Sequence, residues 1–116
     1  MTDNPLAPQP ARSQDHRLAA ALSHGAVVAL PALGPFVVWA VMRDRSAFVR
    51  YHSMQAMVAQ GTWLVVSVLL SVLTCGVLSF VTAPLFLLTA VAELYMAWRA
   101  WQGEDVGYPG VEDLGR

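Results

Sequence analysis

Polar and apolar positions fall in blocks along this chain. Residues 1–17 hold three prolines and no apolar periodicity, which predicts a flexible N-terminal tail. Residues 18–42 then run for 25 positions without Asp, Glu, Lys or Arg. A short patch, Arg43-Asp44-Arg45 with Arg50, carries net +2. A second uncharged run covers residues 51–92, 42 positions in all. A helix needs about 20 residues to cross the hydrocarbon core of a bilayer, so this run is long enough for two crossings. As one straight helix it would extend about 63 Å, twice the core thickness. The chain must turn, and Thr74-Cys75-Gly76 is the best place, because glycine accepts the left-handed conformation that closes a helix. Pro84 is a competing breaker that the first turns of the next helix absorb as a kink. Helices are predicted at about 48–74 and 77–101.

The first apolar run is broken by Pro31, Gly34 and Pro35, and diluted by Ser23-His24-Gly25. A kinked crossing and a re-entrant V are both open. The fold class is all-α: an integral membrane helical protein with a broken N-terminal hydrophobic segment and a transmembrane helical hairpin. Its membrane domain is 18–102, followed by an acidic C-terminal tail, 103–116.

Composition agrees. The 116 residues are 56% hydrophobic and 13% charged, with mean hydropathy +0.49, against roughly 45–50% and about 25% in average soluble proteins. Net charge −1 excludes a global field for nucleic acid. The single Cys75 excludes an internal disulfide and any multi-thiolate metal site within one chain. No cleaved signal peptide is expected, although the first apolar segment could serve as an uncleaved anchor.

All seven basic residues are arginine: Arg12, Arg17, Arg43, Arg45, Arg50, Arg99 and Arg116. None lies at the 74–76 turn. Positive residues stay cytoplasmic, so the 43–50 loop and the C-terminus are expected inside the cell and the turn outside. A full crossing by 18–42 would strand Arg12 and Arg17 on the wrong side, which favours the V. Trp39, Tyr51, Tyr95, Trp98 and Trp101 near the cytoplasmic ends read as an interfacial aromatic belt.

Glu93 is the residue to weigh first for chemistry. It shares a helical face with Ala83, Ala90 and Ala97, a small-residue stripe that lets another helix approach. Symmetry about the turn sets position 93 opposite 58, between Gln55 and Gln60, and Arg99 opposite His52. His52, Gln55, Gln60 and Glu93 are therefore the candidate polar cluster, with His24 and Arg99 as secondary candidates. An ionisable residue at membrane depth is a functional-site hypothesis by default, against the plainer reading of hydrogen-bonded glue between helices. Ser67, Ser71 and Thr74 form a further small polar stripe. No catalytic residues, cofactor site or metal site are predicted: His24 and His52 lie on different segments, and H-x-x-Q is not a ligand spacing. There is also no G-x-S-x-G, Walker-type loop or H-E-x-x-H. The expected partners are the lipid bilayer and a second copy or another membrane protein, and no enzyme activity is expected.

Several strings, in order, resemble one bacterial family. Arg17-Leu18-Ala19-Ala20 leads to Leu22-Ser23-His24, and Gly34-Pro35-Phe36-Val37-Val38-Trp39 follows. Next come Arg43-Asp44-Arg45-Ser46-Ala47-Phe48-Val49 and His52-Ser53-Met54-Gln55-Ala56-Met57 with Gln60. Ala97, Ala100, Gly103-Glu104 and Tyr108-Pro109 close the series. Together they resemble the domain family of unknown function numbered four-eight-seven-zero. That family is similar to the plastid Tic-twenty translocon subunit and to the magnetosome membrane protein MamF. Departures are Met54 in place of a frequent lysine, Val58-Ala59 in place of Asn-Phe, and Gly110-Val111 in a usually apolar stretch. The resemblance implies a bacterial multi-pass inner-membrane protein without an established activity. By fold-level analogy it adds a transport or channel (translocon-like) component as the alternative to an interaction or assembly subunit.

Overall fold

A computed structural model describes residues 13–104 and 106–116, and every regular element among them is helical. Residues 1–12 of the expected tail lie outside the described residues. The tail ends earlier than residue 17, because α1 spans Gln14–Gly25 and Ser13 caps it, accepting a hydrogen bond from the His16 amide at 3.2 Å. A 3-10 turn, Ala26–Val28, leads to α2, Leu33–Met42. The long helices are α3, Ala47–Leu73, and α4, Ser79–Trp101.

At 27 and 23 residues, α3 and α4 are about 40 and 35 Å long, enough to cross a bilayer core of about 30 Å. The turn falls where the glycine placed it. Cys75 and Gly76 are both left-handed, with φ of 52° and 88°. The hydroxyl of Thr74 accepts from the Leu78 amide, so α4 begins two residues later than the pattern predicts. Pro84 is absorbed inside α4.

The first apolar run doubles back. α1 and α2 have only 12 and 10 residues, about 18 and 15 Å. Both limbs pack along the same half of α3: Ala20 of α1 meets Phe48, Val49 and Ala100 in the core, and Val38 and Met42 of α2 cover the same cluster. The tip of the V sits at Gln60. That single amide satisfies both broken helix ends, donating to the carbonyls of Ser23 and His24 at 3.1 and 3.3 Å and accepting from the Ala32 amide at 3.0 Å. The limbs approach so closely that a Cβ on Gly34 would lie 2.4 Å from the Cβ of Ala26.

α3 and α4 touch each other, through Gln60 with Glu93 and Ser71 with Ser79, and α1 packs on both of them at their Phe48–Ala100 end. The small side chains of Ala19, Ala20 and Ala21 admit it between them. Toward the turn, α3 and α4 are left with an open, largely apolar groove of about 500 Å³, lined by Leu64, Ser67, Thr82 and Phe86 among others.

Candidate functional site

The wedge of α1 brings His24 between the two long helices. His24 Nδ1 lies 2.9 Å from Glu93 Oε2 on α4, and His24 Nε2 lies 3.2 Å from His52 Nδ1 on α3. His52 Nε2 reaches the backbone carbonyl of Glu104 at 2.8 Å. Gln60 Nε2 donates to Glu93 Oε2 at 2.9 Å, and the Tyr108 hydroxyl donates to Glu93 Oε1. His24, His52, Gln60 and Glu93 are fully buried.

Gln55 directs its hydrogen bonds to the C-terminal segment. Its amide donates to the carbonyls of Val111 and Leu114 at 2.6 and 3.0 Å, and its oxygen accepts from the Tyr108 amide at 2.9 Å. It holds the C-terminal segment on the bundle and so delivers Tyr108 to Glu93. Arg99, expected opposite His52, pairs instead with the Glu104 carboxylate at 2.5 Å, with its guanidinium also on the Tyr95 hydroxyl. The two positions meet through Glu104, whose carbonyl serves His52.

The segment read as an acidic tail is therefore part of the site. Residues 106–116 fold back over α3: Arg50 binds the Gly115 carbonyl at 3.2 Å, and Arg116 stacks on the Tyr51 ring at 4.6 Å. Gly107 lets the strand of chain pass, since a Cβ there would lie 2.0 Å from the Tyr51 hydroxyl. This also removes Tyr51 from the aromatic belt, because it is buried beneath these turns. Tyr95 and Trp98 remain half-exposed, and Arg43 and Arg17 lie over the rings of Trp39 and Trp101.

Burial raises the Tyr108 phenol above its ordinary range, and the Glu93 carboxylate beside it adds to the effect. The phenol is therefore a donor. The donors of the cluster do not converge on one point, because His24 offers opposite sides of its ring to Glu93 and His52. Among the described residues no group of three His, Cys, Asp or Glu could hold a metal. The cluster can store and pass protons and can lock three helices together.

Comparison with known families decides the relationship. Residues 15–113 match the family described as magnetosome magnetite crystal formation proteins. The chain belongs to that family. The match covers α1 through the folded-back C-terminal segment and so includes every member of the cluster. It supports the MamF side of the sequence resemblance. No curated protein and no solved structure matches the chain.

The residue pattern gives His24 only a secondary place and does not single out Tyr108 as a site residue. A signal existed for both: His24 sits in an otherwise uncharged run, and Tyr108-Pro109 was one of the strings of the resemblance. Neither signal says which residue it meets.

Proposed function

We propose that the chain is a membrane-embedded assembly subunit serving magnetite crystal formation, the process its family is described by, and that it acts by contact and not by catalysis. One observation carries this reading: His24, His52, Gln60 and Glu93 face inward and hydrogen-bond to one another, whereas the outward face of the long helices is apolar. Phe80, Leu73 and Val72 are 87, 77 and 70% exposed, and Val65, Leu69, Leu87, Leu88 and Val91 join them. Such a surface suits lipid and neighbouring helices, including a second copy. An enzyme needs a nucleophile or acid–base pair open to a substrate, and Glu93 is closed off by Gln60, His24 and Tyr108.

The alternative is a transport or channel component, as the Tic-twenty resemblance implies. It draws less support, because a path needs a solvated route and the polar cluster is sealed. The setting proposed is the bacterial inner membrane or a membrane derived from it, multi-pass, with the 43–50 loop and C-terminus cytoplasmic.

Deletion of the gene in a magnetite-forming host, with complementation, tests the reading. Crystals altered in size or number on deletion and restored by the wild-type chain are expected, together with cross-linked species larger than a monomer in native membranes. Unchanged crystals, or a strictly monomeric chain, would overturn it. Flux through the purified protein in liposomes, lost in Glu93→Gln, would favour the transport alternative.

A further inference from the structure

We infer that Glu93, His24 and His52 form a buried site for one exchangeable proton, with three stations along a single line of hydrogen bonds. The inference goes beyond the assembly role and does not depend on it. It follows from counting protons. The Glu104 carbonyl only accepts, so His52 must carry a proton on Nε2, 2.8 Å away. The contact of 3.2 Å between His52 Nδ1 and His24 Nε2 needs a second proton between two nitrogens. The contact of 2.9 Å between His24 Nδ1 and Glu93 Oε2 needs a third. An ionised glutamate with two neutral imidazoles supplies only two. The cluster must take up one more.

That proton has three placements. With Glu93 protonated, both imidazoles are neutral and carry hydrogen on Nε2. Moving the proton across the first contact makes His24 the imidazolium beside a carboxylate. Shifting the Nε2 proton of His24 onto His52 Nδ1 makes His52 the imidazolium and leaves His24 with hydrogen on Nδ1. Each step moves one proton along one existing hydrogen bond, and the net charge of the three groups stays zero.

Among the described residues, the neighbours of Glu93 do not supply the missing proton. From α3, Gln60 gives Glu93 Oε2 a fixed amide hydrogen. From the C-terminal segment, the Tyr108 hydroxyl binds Glu93 Oε1, and burial keeps its proton on the phenol. On α4, Arg99 is turned to the Glu104 carboxylate. The rings of Phe48 and Tyr51 stand steeply inclined to that of His52, with centroids 4.6 and 5.6 Å away. Losing the proton leaves two lone pairs facing each other inside a fully buried contact. Relief requires His24 to withdraw, so proton occupancy and the docking of α1 are linked.

The test uses the full chain with 15N-labelled histidine in lipid nanodiscs, His16 being assigned by its loss in His16→Asn. Imidazole nitrogen shifts report His24 and His52. The infrared carboxyl band, taken as a difference against Glu93→Gln, reports Glu93. At neutral pH the occupancies of Glu93 acid, His24 imidazolium and His52 imidazolium should add up to one. A sum of zero or two, with α1 still protected from amide exchange, overturns the proposal. In Glu93→Gln the amide offers His24 Nδ1 a permanent hydrogen, so both imidazoles should be neutral with hydrogen on Nε2. A persisting imidazolium there also overturns it. Raising the pH of the wild type until the sum falls should speed exchange in α1 and leave α3 and α4 unchanged. Exchange in α1 that ignores the fall would break the link to docking.

Discussion

Tyr108 shows how much one side chain from an irregular segment contributes. Its hydroxyl binds Glu93, its amide binds Gln55, and its ring lies 6.4 Å from that of His24. Removing the hydroxyl in Tyr108→Phe should cost about 1 kcal/mol, the scale of one buried polar contact between membrane helices. Denaturant titration in mild detergent measures it. The raised phenol pKa adds a sign. The folded state holds this proton more tightly than the unfolded chain, so the contribution is fully present below about pH 10 and declines as pH rises beyond it. Tyr108→Phe should abolish that part of the alkaline loss. An identical alkaline profile in both proteins would contradict it.

At the scale of elements, α1 does the organising. It is too short to cross a bilayer, yet it lies between α3 and α4 and carries His24 to both. The space it occupies is set by small side chains, Ala20 and Ala100 being fully buried. Ala20→Leu should therefore overpack the junction and cost about 1–3 kcal/mol. The long helices should still insert, because each satisfies its own backbone and is long enough to span. The expected result is a membrane-integrated protein whose α1 is open to protease and whose melting temperature is lowered. Unchanged protease resistance would show that α1 does not wedge the hairpin apart.

On the scale of the whole molecule, the V and the folded-back segment gather at one end of the long helices, and the groove lies toward the other. Arg17, Arg43, Arg50, Arg99 and Arg116 all belong to the first end. Positive residues stay cytoplasmic, so a reporter active only outside the cell should be silent when fused to either terminus, and active when inserted at the 74–76 turn. An active N-terminal fusion with a silent C-terminal one would mean that 18–42 crosses fully.

Much was determined by the sequence alone. The second uncharged run and its Thr-Cys-Gly site were enough for two long helices and their turn, because burying an unpaired backbone in lipid leaves a chain of that hydropathy little choice but helix. Gln60 near Glu93 was legible too, since a turn at a known place sets which residues on two antiparallel helices stand level. The tertiary structure decided what no period encodes. That α1 lies against both α3 and α4 depended on the fit of Ala19, Ala20 and Ala21 against their neighbours, a matter of shape between segments far apart in the chain. The C-terminal segment has no apolar pattern of its own, and its place comes from the side chain of Gln55 on α3. That is why His24 and Tyr108 reach Glu93: each arrives on an element whose position is set by partners distant in sequence, and a residue pattern records only what lies near it.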